Sequence, residues 1–367
     1  MITPADDFPI HQLARPIADV GTERNFYDRY FFNGYSSKEN IFFGAALCVY
    51  PSLNIMDAAF TLAVDGIQHN LRASRILKGD QLNTEVGPIK VKVIEPLNKI
   101  TLEIDSDEYA IKANITFERR FEFMQEPNMT LFNGNRKIMD SCRMTQHGSW
   151  VGTINFNGKV IEIDKKEYLG TRDRSWGIRP VGLPDPQPIV PMELPQFFWL
   201  WAPVNFKDCA SHIYFVDDKE GNSDYAFARI QYANEDVSNF VTIEKQIQFE
   251  EKSRRIKSLG LKLISDSSDQ YELTLKPIYN IFMCGLGYMH PEWGHGHYKG
   301  EFATHYDQYN LSEDTEDPPY LHIQSICDVS YKTLNENKSG RGVLEQLLIG
   351  PHLSLIHISE PTRLRTI

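Results

Sequence analysis

The segment Ile111-Lys112-Ala113-Asn114-Ile115-Thr116-Phe117 alternates apolar and polar side chains without interruption. Successive side chains of a β-strand point to opposite faces, so this pattern is typical of a strand with one buried and one solvated face. The nearby run Ile100-Thr101-Leu102-Glu103-Ile104 repeats the pattern. The two runs together predict an antiparallel sheet, because sheets of that kind can leave one face in water.

Strand-like runs continue on both sides of this segment, from Asn25 onward. Turn dipeptides separate them, and we expect tight turns at Asn33-Gly34, Asp65-Gly66 and Asn157-Gly158. The sequence shows no long amphipathic helix; only residues 343–349 look helical, and even these could form a strand. Many short strands at regular spacing predict an all-β chain built of antiparallel barrels or sandwiches.

The best candidate for a domain boundary is the proline-rich segment from Pro180 to Pro195, with six prolines in sixteen residues. Proline cannot continue a helix or a central strand, so this segment reads as a connector. We therefore predict an irregular lead-in over residues 1–24, a first β-domain over 25–185 and a second over 186–352.

The last fifteen residues, Leu353–Ile367, break with the strand pattern before them. They resemble translated sequencing-adapter read-through, so we treat them as a non-native tail and exclude them from fold reasoning. We expect this tail to pack weakly against the rest of the chain.

The charge balance limits the classes of partner. Lysine and arginine total 38 against 49 aspartate and glutamate residues, for a net charge of −11. Nucleic acids and anionic membranes bind basic patches, so we expect neither as a partner. No apolar run reaches the length of a transmembrane segment, and the N-terminus carries acidic residues where a secretory signal has positive charge. Five scattered cysteines match no zinc or disulfide pattern, which favours a cytoplasmic location.

The first candidate site lies at the middle of the chain, in Gly170-Thr171-Arg172-Asp173-Arg174-Ser175-Trp176-Gly177-Ile178-Arg179-Pro180. It combines rigid donors, an acid and a large aromatic face. In a structural interpretation, Asp173 pairs with one of the three arginines and Trp176 fills the end of a core. In a functional one, Asp173 faces a cavity while Arg172 and Arg174 point away, because neighbours on a strand alternate in direction.

The second candidate is Gly287-Tyr288-Met289-His290-Pro291-Glu292-Trp293-Gly294-His295-Gly296-His297-Tyr298. Three histidines and a glutamate could in principle bind zinc or iron. The proline and glycines interrupt any regular element and no known ligand spacing is matched, so we expect no metal here. The segment is then a polar loop at the mouth of a barrel, or His290 and Glu292 line a pocket as polar or acid–base groups.

Aromatic runs such as Phe197-Phe198-Trp199-Leu200-Trp201 are usual in a core, but they also suit a pocket for a large apolar ligand. The sequence contains no phosphate-binding glycine loop, nucleophile elbow or dinucleotide fingerprint. We therefore expect no cofactor and a hydrophobic small molecule as the ligand.

The order of these features resembles a known family. A hairpin with Gly148-Ser149-Trp150-Val151-Gly152 precedes the Asp173 and Trp176 motif, which is followed by the proline connector and a second β-rich half. This order is similar to the double lipocalin-like family that includes carotenoid 1,2-hydratase (hydroxyneurosporene synthase), and more so to its bacterial relatives. In the hydratase branch the aspartate is a candidate catalytic acid followed by His; here Arg174 follows it.

The resemblance implies two lipocalin-like domains side by side and an enzyme that needs no cofactor. The expected reaction is acid-catalysed hydration, cyclisation or isomerisation of a carbon–carbon double bond in an isoprenoid-like or polycyclic molecule. Asp173 would donate the proton, since an apolar pocket raises the pKa of a carboxyl group. Trp176 would stabilise the carbocation, and His290 or Glu292 would position water.

A non-catalytic carrier of an apolar ligand is the alternative from another class. An Asp173 salt-bridged to Arg172, Arg174 or Arg179 would favour the carrier, and an Asp173 facing an open apolar cavity would favour the enzyme. The residues that we expect to contact the ligand in either case are Arg172, Arg174, Arg179, Trp150, Trp199, Trp201, Trp293 and His295.

Overall fold

The computed structural model describes residues 7–9, 23–184, 196–234 and 236–355. It consists almost entirely of antiparallel strands, so the predicted all-β class is confirmed. In chain order, the strands of the first half are β1 (Phe26–Ser36), β2 (Phe42–Tyr50), β3 (Ile55–Val64), β4 (Ile67–Ile76), β5 (Glu85–Val86), β6 (Ile89–Glu95), β7 (Lys99–Ser106), β8 (Ile111–Arg119), β9 (Met124–Gln125), β10 (Met129–Asn133), β11 (Arg136–Phe156), β12 (Lys159–Ile163) and β13 (Tyr168–Ile178).

The second half contributes nine further strands and several short 3-10 turns. The strands are β14 (Phe197–Asn205), β15 (Cys209–Asp217), β16 (Ser223–Tyr232), β17 (Val237–Phe249), β18 (Ile256–Ser265), β19 (Gln270–Phe282), β20 (Phe302–Asn310), β21 (Ile323–Lys332) and β22 (Asn337–Ile349). The short 3-10 turns include Pro51–Leu53 in the first half and Met283–Leu286, Pro318–Tyr320 and Leu353–Leu355 in the second. The ambiguous segment 343–349 is therefore part of a strand.

The strands form one large sheet and one closed barrel. The sheet has the order β20-β4-β3-β2-β1-β13-β11-β8-β7-β6-β5, with β9, β10 and β12 paired to β11. The barrel has the order β14-β15-β16-β17-β18-β19-β21-β22, and β22 closes it by pairing with β14. Strand β20 leaves the barrel sequence and pairs antiparallel with β4 of the sheet. Most of the predicted connector, 185–195, lies outside the described residues, so the domain boundaries stay a prediction.

Alternation along the central strands produces the three largest apolar clusters of the described residues. On β1, Tyr30 and Phe32 face the core of the sheet, while Phe31 faces the other way. On β14, Leu200 faces the barrel core, while Trp201 faces outward toward the sheet. The outward residues of both halves meet in a third cluster, in which the Phe31 and Trp201 rings pack edge to face with centroids 6.4 Å apart. The two halves therefore share an apolar interface.

The predicted turn at Asn33-Gly34 is wrong, because β1 runs through both residues. The structure shows why this dipeptide suits a strand here. The Asn33 Oδ1 accepts hydrogen bonds from the backbone N–H and the hydroxyl of Thr171, at 2.9 and 2.8 Å. A Cβ on Gly34 would lie 2.2 Å from Cζ of Phe43, so only glycine leaves room for that ring. Tight turns do occur at the other two predicted dipeptides, at 65–66 and 157–158.

The first residues of the expected tail, 353–355, include one that packs into the barrel, whereas the sequence predicted weak packing. Leu355 is 5% exposed and belongs to the barrel core, whereas Leu353 is 60% exposed. Just before them, the His352 ring stacks on Phe198 with centroids 3.8 Å apart. Residues 356–367 lie outside the described part of the chain.

Candidate active site

The site is built on three adjacent strands of the sheet, β1, β13 and β11. Asp173 on β13 lies opposite Phe31 on β1. Ser175, two residues further along β13 and on the same face, lies opposite Arg29 on β1 and Arg143 on β11. Because side chains two residues apart on a strand share a face, these groups all project toward the barrel. This register places one carboxyl group beside two guanidinium groups at the interface of the halves.

Asp173 is 4% exposed, and its nearest cation is Arg29, whose Nη2 lies 3.3 Å from both carboxyl oxygens. Burial raises the pKa of Asp173, because a low-dielectric environment disfavours the charged form. The neighbouring Arg29 and Arg143 act in the opposite direction, but burial outweighs them and the pKa stays above its ordinary value. Asp173 therefore has the property that a proton donor requires.

Arg172 and Arg174 project to the opposite face of β13, into the sheet's own core. Arg172 pairs with Asp7, and Arg174 pairs with Asp28 at 2.6 Å. Trp176 lies two residues after Arg174, so it shares their face of β13, and it lies opposite Asp28 in the register with β1. The structure thus separates Asp173 from Arg172 and Arg174, as the functional interpretation expected, but it separates Trp176 from Asp173 as well.

Asp173 opens on a cavity of about 140 Å³ between the sheet and the barrel. Its wall is mainly apolar and aromatic, from Phe31, Met129, Met139, Phe197, Trp199 and Trp201. Two of the predicted ligand-binding tryptophans, Trp199 and Trp201, lie here. Trp150 does not: it is fully buried in the core of the sheet, where its Nε1–H donates to the Asn33 carbonyl at 2.9 Å.

A histidine and a glutamate line the barrel side of the cavity. Nε2 of His322 lies 2.9 Å from Oε1 of Glu345, and the side-chain amide of Gln324 donates to Oε2 at 2.7 Å. Burial opposes ionisation of Glu345, but His322 and Gln324 outweigh it and hold its pKa below the usual value. The other ring nitrogen of His322, Nδ1, is buried and has no hydrogen-bond partner among the described residues. An ionised Glu345 that accepts the Nε2 proton leaves Nδ1 as a free acceptor.

A second carboxylate, Glu126, lies behind the cavity wall and fixes its geometry. It pairs with Arg143 at 3.1 Å and His212 at 2.8 Å, and it accepts a hydrogen bond from the indole of Trp201 at 3.1 Å. Burial opposes its ionisation, but Arg143 and His212 outweigh burial and hold the pKa of Glu126 at about 2. Glu126 is therefore ionised at neutral pH, and it orients one arginine and one tryptophan of the wall.

The His-rich segment contacts this cavity through few of its residues. Nδ1 of His290 accepts the backbone N–H groups of Glu292 and Trp293 at 3.1 and 2.9 Å, so it caps its own loop. Glu292 is exposed, and neither His290 nor Glu292 lines the cavity. His295 adjoins it by contacting Arg179, and Trp293 stacks on His305 elsewhere.

Within the described ranges, no three histidine, cysteine, aspartate or glutamate side chains converge closely enough to hold a metal ion. Nor does this part of the chain include a helix long and apolar enough to cross a membrane.

Sequence reasoning missed most of the groups that surround Asp173. Arg29, Arg143 and Glu126 are single basic or acidic residues within or beside segments whose pattern indicates only strand structure. Glu345 offered a usable signal, since it is the single charged residue in the run 343–349, which is apolar apart from Glu345 and Gln346. A lone acid in an apolar strand must find buried partners, which is a reason to suspect a site.

Comparisons with known proteins bear on this site only through the fold. A model described as "Family of unknown function (DUF8625)" matches residues 2–355. No curated protein matches the sequence.

Several solved structures are similar to this chain over most of its length. A protein of Nitrosomonas europaea provisionally named AttH has 13% identity and a TM-score of 0.54, covering 92% of this chain and 98% of its own. CghA has 11% identity and a TM-score of 0.51, covering 94% and 97%. Kievitone hydratase from Nectria haematococca has 13% identity and a TM-score of 0.47, covering 87% and 88%. At these identities the first two show a shared fold.

Proposed function

The chain belongs to the family of unknown function DUF8625, and we propose that it is an enzyme that protonates a carbon–carbon double bond of a hydrophobic small molecule without a cofactor. The observation that carries the proposal is Asp173, a buried carboxyl with a raised pKa at the edge of an aromatic cavity. The product would arise by hydration, cyclisation or isomerisation.

Asp173 supplies the proton in this scheme. In its neutral form the carboxyl keeps one O–H to donate, and its other oxygen accepts from Arg29. The π electrons of the substrate form the new C–H bond, and the positive charge moves to the second carbon. Asp173 then becomes a carboxylate beside Arg29, so the arginine stabilises the charge that develops on the acid as the proton leaves.

The carbocation would be stabilised by the aromatic wall. Trp199, Trp201 and Phe31 line the cavity, and the electron-rich face of an aromatic ring attracts a cation. These residues take the role that the sequence assigned to Trp176, which lies on the other face of β13.

The His322–Glu345 pair would complete the reaction as a base. In hydration, water attacks the cation and passes its proton to the free Nδ1 of His322. In cyclisation or isomerisation, the same nitrogen removes a proton from a neighbouring carbon. Glu345 stabilises the imidazolium that forms, since it lies 2.9 Å from Nε2. This is the role that the sequence gave to His290 or Glu292.

The alternative, a carrier without chemistry, predicts that Asp173 is neutralised by Arg172, Arg174 or Arg179. Its closest cation is Arg29 instead, and both oxygens lie at 3.3 Å, which is long for a charge-assisted pair. This arrangement supports the enzyme more than the carrier.

Native mass spectrometry of the purified protein would first identify a co-purifying small molecule. That molecule is then incubated in deuterium oxide with the wild type, with Asp173→Asn and with the exposed control Asp105→Asn. We expect deuterium on a carbon of the product with the wild type and the control, and ligand binding without turnover with Asp173→Asn. Recovery of unchanged ligand from all three proteins would support the carrier.

A further inference from the structure

Arg179 is the one guanidinium of the cavity wall without a carboxylate partner among the described residues. Arg29 pairs with Asp173, and Arg143 pairs with Glu126. No ion pair to Arg179 occurs within this part of the chain. Arg179 is half-buried and lines the cavity, so its charge is only partly solvated. A partly buried cation without a counter-charge is costly, which is a reason to look for its partner in a ligand.

The hydrogen bonds of Arg179 leave most of its donors unused. Its Nη2 donates to Nδ1 of His295 at 3.0 Å, and that is its single side-chain hydrogen bond in the described structure. Its Nε is buried and has no partner there. A guanidinium carries five N–H donors, so four remain for other acceptors or water.

The neighbouring His295 cannot take over the role of an anion. Its Nε2–H donates to the Leu286 carbonyl at 2.9 Å, so its Nδ1 accepts from Arg179 as a neutral imidazole. Burial, together with the charge of Arg179, holds the pKa of His295 well below its usual value. His295 therefore orients Arg179 without neutralising it.

Asp57 acts on Arg179 through its charge but makes its hydrogen bonds to other groups. Its oxygens accept hydrogen bonds from the Gly296 N–H at 2.7 Å and from the Tyr50 hydroxyl at 3.2 Å. Burial raises the pKa of Asp57 to about 7, so this carboxyl is only partly ionised at neutral pH. Its charge therefore neutralises Arg179 only in part.

A second cation faces the same part of the cavity. The guanidinium carbons of Arg29 and Arg179 lie 5.3 and 5.7 Å from the centre of the same ring, that of Tyr288. The guanidinium carbon of Arg179 also lies over the ring of Tyr27, 4.5 Å from its centre. Two like charges held beside one ring repel each other, and an anion placed between them would relieve the repulsion.

We infer that the cavity takes an apolar molecule bearing a carboxylate, and that Arg179 binds this carboxylate while the apolar remainder lies against Trp199 and Phe31. The inference rests on the proposed function for the identity of the cavity, and it adds that the substrate is an acid. Arg179 then sets the register of the substrate, so that one double bond is presented to Asp173.

The test compares two probes that differ in one group. Geranic acid and geraniol share a ten-carbon isoprenoid chain, and calorimetric titration at neutral pH would measure the affinity of each for the wild-type chain. We expect the acid to bind about tenfold to hundredfold more tightly, the usual range for a charge-assisted hydrogen bond. Arg179→Gln should remove this preference and leave the affinity for geraniol unchanged.

Two further variants separate binding from folding. Arg179→Lys keeps the charge and should retain part of the preference for the acid, while Arg229→Gln removes a charge away from the cavity and should retain all of it. Equal affinities for the two probes, no binding of the acid to the wild type, or equal weakening of both by Arg179→Gln would overturn the inference. These are equilibrium measurements, so they stand or fall independently of the deuterium experiment on turnover.

Discussion

Arg29 and Asp173 meet across neighbouring strands, with Nη2 of the arginine 3.3 Å from both oxygens of the carboxyl. Both side chains are nearly fully buried, at 6% and 5% exposed. The contact lowers the pKa of Asp173 without cancelling the larger effect of burial. Arg29 therefore tunes an acid, and this relationship yields the first prediction.

Replacing Arg29 by glutamine should raise the pKa of Asp173 further, because burial would then act with less opposition. When the pKa of Asp173 is higher in the folded than in the unfolded chain, this carboxyl loses its proton at a lower pH in the unfolded chain. The free energy of unfolding of Arg29→Gln should therefore fall as pH rises from about 4, the ordinary aspartate pKa, toward the raised value. Urea unfolding at several pH values would measure this, and Arg29→Lys, which keeps the charge, should show a weaker fall. A loss that is independent of pH would contradict the prediction.

Glu126 predicts the opposite pH dependence. Its pKa is about 2 in the folded chain against a reference of 4.5, so the stability that it contributes is complete above pH 4.5 and is lost as pH falls toward 2. The shift corresponds to roughly 3 kcal/mol. Glu126→Gln should lose about 3–5 kcal/mol at neutral pH, because Arg143 and His212 lose their buried partner. The variant should also show a shallower loss between these pH values, and an unchanged acid profile would exclude this role.

The cavity wall can be tested with two tryptophans, of which Trp199 lines the cavity and Trp176 does not. Trp199→Ala removes an aromatic surface from the cavity and should weaken geraniol binding at least about fivefold. Trp176→Ala, the matched control, should leave the affinity unchanged, because Trp176 is absent from the cavity lining. Titration calorimetry on both variants measures the difference, and the reverse order of effects would place the ligand elsewhere.

The fold was largely predictable because alternation is a local signal. The alternation in Ile111–Phe117 is enough to predict a strand without any other part of the chain. Many such runs together predict the all-β architecture with a lipocalin-like barrel. The turn at Asn33-Gly34 was mispredicted for a non-local reason: the Phe43 ring and Thr171 that hold this dipeptide in a strand come from other parts of the chain. Pairing between distant segments overrides local turn preference.

The site was only partly predictable, and the reason is again distance along the chain. Asp173 stood out because arginines and a tryptophan surround it in sequence. Its actual partner, Arg29, is 144 residues away. His322, just before β21, meets Glu345 through the pairing of the neighbouring strands β21 and β22, and the register of that pair is not evident from the sequence pattern. The cluster of charged and aromatic residues around Asp173 therefore located β13 as a strand of the site. It did not reveal the side chains from other strands that lie beside Asp173.

The start of the expected tail gives a simple test of packing. Leu355 is buried in the barrel core, so Leu355→Ala should destabilise the chain by about 2–5 kcal/mol. Leu353→Ala, two residues earlier and 60% exposed, should change stability by less than about 0.5 kcal/mol. Thermal unfolding of the two variants checks this, and equal midpoints would show that Leu355 is not part of the core.

The central claim is that Asp173 is a proton donor, and its pKa tests this most directly. Carbon-13 NMR of the side-chain carboxyl groups would follow the titration, with the Asp173 signal assigned by its loss in Asp173→Asn. We expect its midpoint in the free protein to lie clearly above about 3.9, the ordinary value for aspartate. A midpoint at or below that value would mean that Arg29 and Arg143 outweigh burial, that Asp173 is a carboxylate, and that the proposed acid catalysis is wrong.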